Sequence, residues 1–128
     1  MILLDASALT ALLNDEAGAE AVAEALALDE GGLSVVNLAE VLEVGARRFA
    51  MTPAEQLDYL RERVTIVPLT EADAVTAAEL YPLTRQPPPL SLADHLALAT
   101  ARRLGVQVLT ADQAWANVPG GFDVQLIR

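Results

Sequence analysis

The chain has no cysteine and no lysine, and only one histidine among its 128 residues. Without cysteine there are no disulfides, no thiolate zinc sites and no cysteine nucleophile. The single histidine, His95, excludes a histidine-rich metal site. An intrinsic metal site must then be built from oxygen, which selects Mg²⁺, Mn²⁺ or Ca²⁺. All eight basic residues are arginine. Phosphoryl-transfer sites that set a lysine beside the phosphate or a catalytic aspartate, such as P-loop, dehalogenase-like and receiver-type sites, therefore cannot be completed. No apolar run reaches the roughly 18 residues that a membrane span needs. Met1 to Asp5 lacks the basic leader of a secretory signal, and Asp5 interrupts its apolar run. The expected location is the cytoplasm, with no membrane contact.

What is present fits one domain over residues 1–128, long enough to bury a real core. Hydrophobic residues make up 53% and mean hydropathy is +0.35. That excess reflects either apolar surface kept for a partner or an abundance of alanine. Net charge is −10, a field that repels nucleic acid and favours basic partners.

Taken in order, Ile2 to Leu4 read as a buried strand ending at Asp5. Helices follow over Ser7–Leu13 and Ala17–Leu28, the second broken by Gly31-Gly32. Leu33 to Val36 read as a second strand, and Asn37-x-x-Glu40 as a capping-box start to a helix reaching Phe49. Thr52-Pro53-x-Glu55 opens a helix to about Arg63. Val64 to Val67 form a third strand, and Thr70-x-x-Asp73 opens a helix ending near Pro82. Arg85 to Leu90 form a stiff proline loop. Ser91-x-x-Asp94 opens a helix to Leu104, stopped by Gly105. Val106 to Leu109 are a fourth strand, Asp112 to Trp115 a short helical turn, and Asp123 to Ile127 a last edge strand. Strands alternating with helices predict a three-layer α/β/α domain with a mostly parallel sheet of four to five strands.

In such a fold, ligands bind beyond the carboxyl ends of the strands, where the following helices also begin. Asp5 leaves strand one and Asp112 follows strand four. Glu40 and Asp94 fall in the first turns of their helices. All four acids are thus expected on one sheet edge, although the strand order is not readable from sequence. Clustered carboxylates resist ionising together, and a hard divalent cation relieves that conflict through oxygen ligands. One or two Mg²⁺ or Mn²⁺ ions so held can activate water and stabilise a pentacovalent phosphate. Each acid also has a plain structural reading, because acids are common in first helical turns and strand-to-helix corners. Thr52–Glu55 and Thr70–Asp73 repeat the capping pattern with no partner acids. If the acids cluster, Asp5→Asn or Asp94→Asn should leave metal-free stability unchanged or raise it.

Four motifs in order, Leu4-Asp5-Ala6-Ser7, Asn37-x-x-Glu40, Ser91-Leu92-Ala93-Asp94 and Leu109-Thr110-Ala111-Asp112, resemble a PIN domain of the VapC-type toxin ribonucleases. The likeness spans the whole chain and is fullest from Arg102 to Trp115. It implies a metal-dependent endoribonuclease acting on cellular RNA such as tRNA or rRNA, a homodimer, and a cognate antitoxin covering the site. Asp5, Glu40, Asp94 and Asp112 are implied as catalytic, metal-binding acids. Ser7 and Thr110 are implied as hydroxyls orienting them, or else as caps of local turns. The position after Asp94 is often basic in the family; His95 there reads as a surface residue without a role. Arg47, Arg48, Arg102 and Arg103 read as helix-end charges or partners of surface acids, Arg85 as an RNA contact, and Glu43 as solvated surface. The antitoxin groove is expected along Ser7–Leu13, Ala17–Leu28 and Asn37–Phe49. Two other classes fit the same residues: a non-catalytic protein-binding module, which would ignore Mn²⁺, and a metal-dependent phosphatase of small molecules.

Overall fold

The computed structural model describes residues 1–128. Five short strands, β1 (Ile2–Leu4), β2 (Gly31–Ser34), β3 (Thr65–Val67), β4 (Val108–Thr110) and β5 (Val124–Leu126), make one sheet in the order β3-β2-β1-β4-β5. Every pairing is parallel. The helices are α1 (Ala6–Leu13), α2 (Ala19–Leu28), α3 (Val35–Arg48), α4 (Pro53–Arg61), α5 (Glu71–Leu80) and α6 (Leu92–Leu104). No helix is long and apolar enough to cross a membrane.

Side chains alternate across a strand, so neighbouring residues of the central strand serve opposite layers. Leu4, with Leu33 and Leu109, packs against Ala8, Leu9, Val22, Leu38 and Leu60 from α1 to α4. Leu3, with Val67 and Val108, packs against Leu80 of α5, Ala97 and Leu98 of α6, and Trp115. The sheet is therefore covered on both faces, as parallel strands require. Trp115 is fully buried, and its indole N–H is the one buried side-chain polar atom without a protein partner.

Three local expectations are corrected. Gly31 and Gly32 do not break α2; they lie within β2. A Cβ on Gly32 would meet Met1 Sδ at 2.7 Å, and one on Gly31 would meet Leu26 Cδ2 at 2.5 Å. The missing Cβ atoms leave room for the tips of these two side chains against the strand. Helix α2 instead stops at Asp29, whose carboxylate takes the N-terminal ammonium at 2.9 Å. Helix α3 begins at Val35 rather than Asn37, because Ser34 caps it by accepting the Asn37 N–H. Glu40 consequently sits beyond the first turn. Finally, the Val64–Val67 and Val106–Leu109 strands are shorter, or displaced by up to two residues, as β3 and β4.

The capping pattern at Thr70–Asp73 has a second use. Asp73 is 1% exposed and closes its capping box while receiving Nε and Nη2 of Arg103 at 2.9 and 3.0 Å. Burial raises the Asp73 carboxyl, but the hydrogen bonds from Arg103 and the Thr70 backbone outweigh it, holding the group below its ordinary range. Arg103 thus pairs with a buried acid and ties the end of α6 to the start of α5. Arg103→Ala leaves that carboxylate unpaired and is expected to cost about 3 kcal/mol. The measurement is a lower urea midpoint at unchanged slope. Arg47→Ala breaks only the exposed pair with Glu43 and should stay within about 0.5 kcal/mol.

Candidate metal centre

The strand order places β2, β1 and β4 side by side, so the residues leaving their ends meet. Asp5, 5% exposed, lies at the centre. Its Oδ2 accepts Ser7 Oγ at 2.6 Å and Thr110 Oγ1 at 2.9 Å, with the Ser7 N–H at 3.4 Å. Its Oδ1 accepts Asn37 Nδ2 at 3.3 Å. Ser7 also holds the far wall, because its Oγ accepts the Ala111 N–H at 2.9 Å. Thr110 Oγ1 accepts the Asp112 N–H at 3.1 Å. Two hydroxyls therefore knit the ends of β1 and β4 together around one carboxylate.

Asn37 was read from sequence as a cap. It is instead a fully buried bracket. Ser34 Oγ donates to its Oδ1 at 2.9 Å, which fixes the amide's orientation. Its Nδ2 then faces both Asp5 and, at 2.9 Å, Glu40 Oε2. The sequence did carry a signal: a polar side chain inside the apolar run Val35-Val36-Asn37-Leu38, three residues before an acid on the same helical face.

Asp94 stands at the start of α6, where Ser91 and Asp94 close a capping box. Asp112 is exposed and caps the 3₁₀ turn Gln113–Trp115, accepting the Ala114 N–H at 2.9 Å. Burial pushes the Glu40 carboxyl above its ordinary range. The charges of Asp5, Asp94 and Glu43 add to that, against the bond from Asn37. Burial likewise raises Asp94, with Asp5 and Asp112 adding and the Ser91 backbone opposing. Glu40 thus feels the charges of Asp5 and Asp94, and Asp94 those of Asp5 and Asp112. The four acids do not form a closed cage: no three of the His, Asp and Glu side chains converge tightly enough to hold a metal ion as they stand. None of the ion pairs in the protein involves Asp5, Glu40, Asp94 or Asp112. An oxygen-only set of acids with no cation paired to it, two of them raised by burial and in part by neighbouring charge, has the donor chemistry that a hard divalent ion suits.

His95 is not the surface residue expected after Asp94. It is 3% exposed, and its Nε2 lies 2.6 Å from Thr84 Oγ1. Thr84 Oγ1 also lies 3.2 Å from Leu80 O. The His95–Thr84 bond ties α6 to the foot of the proline loop, which the Leu90 N–H closes onto Thr84 O at 3.4 Å. Arg85, on that loop, takes part in no ion pair and sits 5.6 Å from the Tyr81 ring centre. Arg102 donates to Gly120 O and stacks on Phe122. Glu43 is exposed and held by Arg47, as expected for surface.

The PIN domain family model matches residues 2–121, and the chain belongs to that family. Among solved structures, the fold is shared with a toxin–antitoxin complex from Klebsiella pneumoniae at 19% identity and a TM-score of 0.76, over 100% of this chain and 98% of that one. It is shared too with VapC20 of Mycobacterium tuberculosis, described as a sarcin–ricin loop cleaving toxin. There the identity is 22% and the TM-score 0.70, over 91% and 93% of the two chains. VapBC-5 of Mycobacterium tuberculosis, a member of the VapBC family of toxin–antitoxin systems, aligns at 25% identity with a TM-score of 0.59, over 98% and 96%. No curated protein sequence matches the chain.

Proposed function

We propose that this protein is a Mg²⁺- or Mn²⁺-dependent endoribonuclease and the toxin of a cytoplasmic toxin–antitoxin pair, cutting cellular RNA such as tRNA or rRNA. The observation that carries the reading is Asp5. It is a buried carboxylate met only by hydrogen-bond donors, its charge adds to burial in raising Glu40 and Asp94, and no cation pairs with any of these acids. A structural role alone does not account for leaving such charge uncompensated.

Asp5, Glu40, Asp94 and Asp112 would hold the ion. Bound there, it supplies the positive charge that makes water nucleophilic at neutral pH and offsets the charge developing on the phosphate. Ser7 and Thr110 fix the Asp5 carboxylate and align it with the ends of β1 and β4. Asn37 sets the distance between Asp5 and Glu40. No lysine or free histidine stands at this edge as a proton acceptor, so the carboxylates carry whatever proton transfer the protein provides. The chain's negative field opposes RNA, and Arg85 of the proline loop, which joins no ion pair, is the contact offered to it.

Purified protein should cut single-stranded or structured RNA only with added divalent metal. Cleavage that survives EDTA, or that requires no metal after exhaustive chelation, rejects the reading. Turnover of a small phosphomonoester with no action on RNA would replace it with the phosphatase. Thr110→Val tests the positioning role. It removes the bond to Asp5 and the acceptor for the Asp112 N–H while keeping the shape of the side chain. Metal affinity by calorimetry is expected to fall about 10- to 100-fold, with a stability loss of about 1–2 kcal/mol.

The family resemblance also supports a homodimer and an antitoxin. The exposed apolar groove that fits such a partner lies between α1, α3 and α4, lined by Leu13, Val41, Phe49, Met51, Tyr59 and Leu60. Helix α2, expected in that groove, does not line it. Gly45 of α3 makes the close approach possible, since a Cβ there would collide with the Gln56 amide of α4.

A further inference from the structure

A second concavity, of about 230 Å³, lies between the proline loop and the segment after Asp112. Gln86, Pro87 and Pro88 form one wall; Gln113, Asn117 and Pro119 lie on the other. It adjoins the acidic edge on both sides. Gln113 directly follows Asp112, and Thr84 at its base is bonded to His95, the residue after Asp94. In a chain of net charge −10, none of its 11 lining residues is charged. Its walls offer the C–H faces of proline rings and the exposed amides of Gln86 and Asn117. The Gln113 amide is already spent on Arg128 O at 2.5 Å.

We infer that this groove is a subsite for one unstacked nucleobase of single-stranded RNA, next to the phosphate that is cut. The inference rests on the ribonuclease reading and adds to it the means of choosing a sequence. Proteins read single-stranded RNA by splaying bases out of the stack and hydrogen-bonding their edges; here the packing surface is the C–H faces of the prolines and the edge contacts are the amides. Amides suit that task because each presents a donor and an acceptor. The volume falls below the roughly 300–1,000 Å³ of drug-sized sites, so it suits one ring system and not a length of chain. Neutral walls let a base approach where the surrounding field repels phosphate, and Arg85 of the same loop is left to meet the backbone. The bonds of Thr84 to His95 and Leu80, and of Leu90 to Thr84, hold the wall in place before RNA arrives.

The test has two arms. In the first, the side-chain NH₂ signals of Gln86 and Asn117 are followed by NMR in the metal-free full chain as single-stranded tetraribonucleotides are added, one sequence per base. Both sets of signals should shift with at least one base and stay still with ribose 5-phosphate. Signals that stay still with every RNA, or that answer only to a partner polypeptide, overturn the proposal. In the second arm, RNA cleavage sites are mapped for wild type and the Gln86→Ala/Asn117→Ala double variant. Wild type should favour one base beside the cut. The variant should lose that preference and raise KM on the order of tenfold, the worth of a modest base contact. An unchanged preference and KM in a variant with native circular dichroism overturn it and leave the ribonuclease standing. If wild type cuts nothing while the amide signals still answer to RNA, the subsite stands and the ribonuclease reading falls.

Discussion

Asparagine in place of Asp5 should slow RNA cleavage by about a thousandfold or more, the rate equivalent of the several kcal/mol that metal-assisted charge stabilisation contributes. The substitution keeps the shape and removes the charge on which the other groups converge. Its effect on stability follows from the donors around it. Ser7 Oγ, Thr110 Oγ1 and the Ser7 N–H crowd Oδ2, while Asn37 Nδ2 faces Oδ1. An asparagine must keep its oxygen toward the hydroxyls, so its NH₂ turns toward the NH₂ of Asn37. Two donors then oppose each other in a buried site, at a cost of about 1–3 kcal/mol. Relief of repulsion among the acids works the other way. Asp5→Asn is therefore expected to lose stability without metal, whereas charge alone suggested no loss. Asp94 is different. Its capping oxygen accepts the Ser91 N–H at 2.8 Å, and an asparagine oxygen does the same. Asp94→Asn should hold or gain stability while losing cleavage. Chemical denaturation of both variants in EDTA, beside cleavage of one RNA, separates the two. Full cleavage by Asp5→Asn would sink the proposed function.

The alternation of strands and helices was legible because each strand is a short apolar run and most helices carry a proper cap. Thr52, Thr70 and Ser91 all cap as their sequences indicate. The rule for parallel sheets put Asp5, Glu40, Asp94 and Asp112 on one edge as an expectation; the structure links Asp5 to Glu40 through Asn37 and to the end of β4 through Ser7 and Thr110, while their role as a metal site is the proposal made above. What sequence hid was the choice between two valid caps. Ser34 and Asn37 both precede an apolar helix, and the serine wins because the short strand ends there, which frees the asparagine for the interior. Gly31-Gly32 misled for a related reason: glycine marks a close approach as readily as a stop. His95 reads as a surface residue and Asp73 as a helix cap and nothing more. Each is buried because a partner far away in sequence, Thr84 or Arg103, satisfies it. Long-range pairs of this kind leave no periodic trace. The apolar surplus has a part of its explanation in the α1–α3–α4 groove, which charge and composition alone did not locate.

Divalent metal and mild acid should both strengthen the metal-free fold, because each removes the same repulsion. The sign follows from Glu40 and Asp94, whose folded pKa values are raised from 4.5 and 3.8. Between the unfolded and folded values the native state binds more protons, so stability falls as pH rises. Their contribution is fully present below those ordinary values and is lost as pH climbs through the raised ones. Above the raised values the penalty is complete, and a bound cation cancels it. Asp73 works oppositely: its lowered pKa gives stability that is present above its ordinary value and lost as pH falls through the folded one. The two slopes overlap in wild type, so the informative quantity is the difference between wild type and Asp94→Asn. That difference cancels Asp73 and should show wild type losing ground to the variant as pH rises from about 4 to neutrality. At neutral pH, Mn²⁺ at a hundredfold excess over its Kd contributes about 2.7 kcal/mol, a rise in Tm on the order of 10 °C. In Asp94→Asn the rise should shrink markedly, because one ligand and one source of repulsion are gone together. Identical pH slopes in the two proteins, with no response of either to Mn²⁺, would mean that the acids serve only their local caps.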